Sequence, residues 1–227
     1  MSEFRYAQFC PLARAAELLA ERWTLLVVRE LLLGAKRFSD LKRALPGVSP
    51  SVLSERLGRL EERGLITRRE LPPPTPANLY ELSESGLALV PALLELARWG
   101  ARFLDRSRPG DHFEPAWLRL GFAAFARKTP TPRRSYSVCV LGHEDAGFRI
   151  TGGDRGTAIH TDARRVDAAI SVGTPLALFA LAARQLPPAE AIRSGAVHVE
   201  GDVAALDVFP DLFDMDRDES SPQQSGE

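Results

Sequence analysis

Residues 49–64 read SPSVLSERLGRLEERG, and few conformations suit this stretch. Ser49 can cap a helix with its hydroxyl, and Pro50 fits the first helical position, where a missing N–H costs nothing. Gly64 can end the helix. Leu53, Leu57 and Leu60 recur at helical spacing and make one apolar side. At 100° per residue, Ser51, Ser54, Glu55, Gly58 and Arg59 fall on the opposite side. A helix that only covered a core would show water longer charged side chains. Small hydroxyls and a guanidinium suit a helix whose backbone must approach another polar surface closely.

The neighbouring residues extend the pattern. LARAAELLAE and RWTLLVVRELLLG have helical spacing, the second ended by Gly34, and RFSDLKRALPG predicts a short helix with Ser39 at its start and Pro46-Gly47 at its end. LITRREL reads as a strand carrying Arg68 and Arg69. PPPTPAN can be neither helix nor central strand, and NLYELSESG resumes a strand before Ser83 caps another helix. The hairpin is followed by SESGLALVPALLELARWGARFL, expected as one long helix kinked at Pro91 with Leu87, Val90, Leu94, Ala97 and Leu104 on its apolar seam.

Helix, short helix, turn, helix and hairpin is the order of a winged helix-turn-helix, in which the second helix of the motif enters the major groove and the hairpin reaches the backbone. On that reading Ser49, Ser51 and Ser54 meet base edges or phosphates, and Arg59 pairs with a guanine edge or a phosphate. Arg56, nearer the flank, serves a phosphate or the structure. Lys36, Arg37 and Ser39 before the short helix, and Arg68 and Arg69 in the hairpin, clamp phosphate. The competing reading for any one of these side chains is a solvated surface; the succession of elements favours DNA.

Several segments in this order resemble the HxlR family of bacterial winged-helix transcription regulators. They include Cys10-Pro11, Arg22-Trp23-Thr24-Leu25-Leu26, Arg37-Phe38-Ser39-Asp40-Leu41, Leu53-Ser54-Glu55-Arg56-Leu57, Leu60-Glu61-Glu62-Arg63-Gly64-Leu65 and Tyr80-Glu81-Leu82-Ser83, with Gly86, Leu87 and Trp99. The resemblance spans residues 10–104 and implies a homodimer, formed by the first and last helices, on an inverted-repeat DNA operator. Ala77-Asn78 departs from it, since the family commonly has a basic residue before Tyr80. Some relatives use an early cysteine as a redox or electrophile switch, which makes Cys10 the candidate here, against a plain structural thiol.

The second half changes character. EPAWLRLGFAAFARK, TPLALFALAARQ, PPAEAIRS and DVAALDVFPDLF read as helices, and SYSVCVLG, GFRIT, GTAIHT, VDAAISV and AVHVEG as short strands. The fold class expected is α+β, with a mainly helical winged helix-turn-helix first and an antiparallel sheet with packed helices second. Residues 113–213, most clearly 167–213, resemble sterol carrier protein-type domains. That implies an apolar small-molecule ligand between sheet and helices, with Phe122, Phe125, Leu176, Phe179, Leu206 and Phe209 as lining candidates or as ordinary core. The domains expected are 1–104 for DNA binding and dimerisation, 105–112 as linker, 113–213 for the ligand, and a disordered acidic tail over 214–227.

Composition excludes other classes. Net charge is −1 over 227 residues, but residues 1–104 carry +3, residues 105–213 zero and the tail −4. No run of about 18 uncharged apolar residues suggests a membrane span, and charged residues interrupt the start where a secretory signal would be apolar, so a cytoplasmic protein is expected. Two cysteines and four scattered histidines offer no metal-ligand spacing, and no cofactor is implied. ITGGDRGTA lacks the helix a phosphate loop requires, and no catalytic motif appears, so an enzyme is not expected. A winged helix that binds protein instead of DNA is the remaining alternative.

Overall fold

The computed structural model describes residues 5–71, 77–104, 110–162 and 164–215. The tip of the expected hairpin at 72–76, most of the expected linker 105–112 and all but two residues of the expected tail 214–227 lie outside them. The chain divides into two compact units, Met1–Leu93 and Leu94–Glu227.

In the first unit, α1 (Pro11–Leu19) leads to α2 (Thr24–Leu32), whose Val27, Val28 and Leu31 are buried. Then come α3 (Phe38–Ala44) and α4 (Pro50–Glu62). As the caps predict, Ser49 Oγ accepts the Val52 N–H at 3.3 Å and Pro50 opens α4. Leu53, Leu57 and Leu60 are at most 2% exposed and pack with Leu41, Leu45 and Ile66; burying each contributes roughly 1.5–3 kcal/mol. The wing is β2 (Ile66–Leu71) paired antiparallel with β3 (Ala77–Leu82). Glu30, fully buried on α2, is held by Arg29 at 2.8 Å and Lys36 at 3.6 Å.

Three local expectations change. Helix α3 starts after Arg37 and not at Ser39, because Asp40 accepts the Arg37 N–H at 3.2 Å and closes the first turn one residue pair earlier. Lys36 and Arg37 form a short strand, β1 (Lys36–Arg37), on the outer side of β3, giving the sheet order β1-β3-β2. The long helix at Pro91 is broken outright into α5 (Glu84–Leu87) and α6 (Val90–Gly100). Pro91 has no N–H to return to the Leu87 carbonyl, yet it suits the first turn of a new helix.

The second unit is a five-stranded sheet in the order β6-β5-β4-β7-β8. Its strands are β4 (Ser135–Val140), β5 (His143–Thr151), β6 (Ala158–His160), β7 (Ala168–Val172) and β8 (Val197–Gly201). Alternation decides which face is buried: Tyr136, Val138 and Val140 of β4, and Ala168, Ile170 and Val172 of β7, point into the core. Helices α7 (Trp117–Phe125) and α8 (Pro175–Ala182) and a 3-10 segment, Val203–Leu212, pack on it, and Phe148 and Ile150 of β5, Ala191 of α9 (Pro188–Arg193), Val197 of β8 and Phe213 join the same core. The expected last α-helix is this 3-10 segment, capped by Asp202 and interrupted by Pro210, which removes a donor.

The sheet is antiparallel except for β4 and β7, which run parallel. Because β6 stops after three residues, the chain is still near the end of the sheet where β4 begins, and it re-enters in the direction of β4. Of the residues expected to line a ligand space, Phe122, Leu206 and Phe209 are fully buried, and Phe125 and Phe179 are half-buried. Phe122 stacks on Phe179 with ring centroids 4.9 Å apart, meets Phe209 edge to face, and lies tilted against Phe213. Leu176 is a correction. It is 75% exposed, on the outward side of the first turn of α8, while Ala177 and Leu178 take the inward positions.

Candidate nucleic-acid interface

The interface is built around the turn between α3 and α4. Gly47 holds φ at +92°, a left-handed conformation that glycine adopts without strain, and so lets the chain reverse before Ser49. With its leucines anchored, α4 turns Ser51 and Ser54 into solvent beside the exposed cap Ser49. Ser49 Oγ and Ser51 Oγ lie 3.0 Å apart. The exposed N-terminal half of α4 therefore offers hydroxyls, able to donate or accept, and no bulky side chain.

Elsewhere the geometry redistributes the expected contacts. Ser39 is exposed in the first turn of α3. Lys36 is drawn to the buried carboxylate of Glu30 and is not presented outward as a free phosphate ligand. Arg37 lines an open cleft of about 490 Å³ with Phe38, Ser39, Ala77, Asn78 and Tyr80, where the start of α3 meets the wing. Arg56 and Arg59 turn inward. Arg56 Nε donates to the Arg22 carbonyl at 3.1 Å, and both guanidinium groups pair with Glu21. The guanine or phosphate contact expected of Arg59, and the phosphate contact open to Arg56, thus compete with intramolecular partners.

Arg68 and Arg69 do not act as a pair. They are consecutive in β2, so their side chains leave on opposite faces of the wing. Arg68 lies 3.7 Å from Glu61 of α4, while Arg69 stands across from Leu79. The four arginines 56, 59, 68 and 69 consequently do not share one surface. Glu21 and Trp23 are contributors missed in the sequence. The available signal was the placing of Arg56, Arg59 and Arg63 along the flank of the leucine stripe, which marks a charged seam against another element.

Cys10 precedes Pro11 as the N-cap residue of α1 and is half-buried; Cys139 lies in β4 with its thiol pushed up by burial and by Glu144 and Glu200. Among the described residues no group of three His, Cys, Asp or Glu side chains could hold a metal ion, and no helix is long and apolar enough to cross a membrane.

Residues 18–108 match the family model described as HxlR-like helix-turn-helix. The uncharacterized HTH-type transcriptional regulator YvaP of Bacillus subtilis is 41% identical over 103 residues, which are 44% of this chain and 94% of that protein. The HTH-type transcriptional regulator YodB of the same organism is 35% identical over 103 residues, 45% of this chain and 89% of its own. The solved reduced form of YodB is 34% identical with a TM-score of 0.39, covering 46% of this chain and all of that one. Both relatives carry the name of HTH-type transcriptional regulators. With nearly the whole of YvaP matched at this identity, and the family model matched over residues that include the capped α4 and its wing, the chain belongs to the HxlR-like helix-turn-helix family.

Proposed function

We propose that the protein is a dimeric transcriptional regulator that grips an inverted-repeat operator with one α4 in the major groove of each half-site. The observation that carries this reading is the outward end of α4, where Ser49, Ser51 and Ser54 are the exposed polar groups of a helix held from behind by Leu53, Leu57 and Leu60. Such an end can enter a groove about 12 Å wide and bring hydroxyls to base edges. Arg37, Ser39 and one of the two wing arginines supply phosphate contacts. Lys36, Arg56 and Arg59 join them only by leaving Glu30 and Glu21. Dimerisation is supported by apolar side chains left in solvent on and beside the first and last helices of the family region. Phe9 and Leu12 lie at α1, and Leu96, Trp99 and Phe103 at and after α6; all five are at least 50% exposed. Residues 1–104 carry both tasks in this reading.

Selection of duplexes from a random pool by the full-length protein tests it. The expected result is a palindromic site bound by a dimer, with affinity falling steeply as salt rises. A monomer indifferent to sequence would overturn the proposal.

The second unit, as the sterol-carrier-like part over 113–213, is read as a sensor of an apolar small molecule. Half-buried Phe125 and Phe179 stand at the rim of the aromatic core formed by Phe122 and Phe209, and a ligand would enter by parting Phe179 from Phe122. Such a ligand changes DNA affinity only by its difference in affinity for the two states. Native mass spectrometry across hydrophobic metabolites tests this, and no bound species would end it. A thiol switch at Cys10 is the second reading, favoured by the position of that residue at the start of α1. Iodoacetamide labelling at neutral pH no faster than that of a free thiol would retire it.

A further inference from the structure

The arginines of α4 form a ladder that groove reading does not explain. Arg56, Arg59 and Arg63 are spaced by three and four residues and so share one stripe beside the buried leucines. All three end at the C-terminal end of α1 and the corner that follows it. Arg63 Nη1 donates to the carbonyls of Glu17 at 3.0 Å and Leu18 at 3.3 Å, which lie in the last turn of α1, where no N–H of the helix remains to satisfy them. Arg59 pairs with one carboxylate oxygen of Glu21 and Arg56 with the other, while Arg56 also holds the Arg22 carbonyl. Glu55 closes the network, 2.8 Å from Arg59 and 3.4 Å from Arg56. With Arg56 15% and Glu21 25% exposed, these pairs are partly withdrawn from water and are screened less than open-surface pairs.

A second brace reaches α4 at its other end. Trp23, next in the same corner, holds φ at +79°, an unusual conformation for an aromatic residue, and the Arg22 guanidinium lies 5.2 Å from the centre of its ring. The indole rests against Gly47 in the turn that leads into α4. The same three residues therefore hold the turn before α4 and the arginines along it.

We propose that the Glu21-Arg22-Trp23 corner is the bracket that sets the attitude of α4, with Glu21 as its positioning residue, so that a displacement of α1 is transmitted to the reading helix. This rests on α4 being the helix that meets DNA. The outer side of α1 presents Leu12, 77% exposed, so a partner packed there would act directly on the bracket.

The test compares the full-length protein with Glu21→Gln, which keeps the shape of the side chain and removes its charge. Two quantities are measured: amide hydrogen exchange along α4, and the ratio of affinities for a selected duplex and for a scrambled one. Expected are exchange at least tenfold faster in the second half of α4 and a fall of at least tenfold in the affinity ratio. Binding to the scrambled duplex should hold or tighten, with a steeper salt slope, because Arg56 and Arg59 are freed toward phosphate. Unchanged exchange overturns the bracket. Faster exchange with an unchanged ratio overturns the positioning role and leaves a purely structural one. If the wild-type protein prefers no duplex, the DNA reading fails while the exchange measurement still judges the bracket. Arg63→Lys, which keeps the charge but loses the grip on two carbonyls, serves should Glu21→Gln not fold.

Discussion

The Trp23 indole covers Gly47 so closely that a methyl group built on Gly47 would lie 3.5 Å from Trp23 Cη2. That distance is ordinary contact, so space alone permits alanine. The backbone does not, because φ at Gly47 is +92°. Gly47→Ala should destabilise the first unit by about 1–2 kcal/mol, the cost of a left-handed alanine, measured by urea unfolding. An unchanged midpoint would show that the turn relaxes.

Ser49 stands at the junction of stability and recognition. Ser49→Ala removes the acceptor for the Val52 N–H and should cost about 1 kcal/mol, whereas Ser49→Asp should keep the cap. On DNA the two should part differently: aspartate at this place repels phosphate, so it should weaken binding more than alanine does. Binding isotherms at fixed salt check the order.

Gly86 admits no side chain. A methyl group there would lie 2.1 Å from the Leu65 carbonyl oxygen, which already accepts the Ser83 N–H at 3.1 Å. Backbone cannot yield as a flexible side chain would. Gly86→Ala should therefore cost about 3 kcal/mol, the upper range for overpacking, and circular dichroism during heating should show an early transition.

The wing makes an asymmetric prediction. Arg68 and Arg69 leave β2 on opposite faces, so only one can touch the duplex bound by a given α4. One of the two alanine variants should lower the slope of log affinity against log salt by about 1 per half-site, and the other should leave it unchanged. Ser51→Ala and Ser54→Ala should instead narrow the gap between selected and scrambled duplexes at constant slope, since hydroxyls carry no charge.

In the second unit, His160 makes stability depend on mild acid. Burial, then the charge of Arg149, lower its pKa; Asp162 opposes and Arg164 adds to the decrease. The unfolded chain thus binds this proton more readily than the folded one. The contribution is complete above the ordinary histidine value of about 6.5 and is lost as pH falls from there through the depressed folded value. Asp162 is held low by Arg149 and acts only in the carboxylate range below that window. Between about pH 7.5 and pH 5.5 the wild-type melting temperature should fall more than that of His160→Gln. Parallel falls would remove His160 as the cause.

The sequence by itself determined the elements whose causes are local. The Ser49 cap, Pro50, the leucine spacing of α4, the two strands of the wing and the β-branched strands of the second half are fixed by residues a few positions apart, and the α+β class followed from their order. Only the tertiary structure decided where charges pair. Arg59 read as an outward group, and Arg56 as a flank residue open to phosphate or structure, because a helical wheel cannot see Glu21, 38 residues before Arg59 in the chain, waiting with both carboxylate oxygens. Lys36 met Glu30 for the same reason. Long side chains choose partners across the fold, whereas caps, turns and apolar stripes are settled within a few bonds of backbone, and that difference in range separates what was legible from what was not.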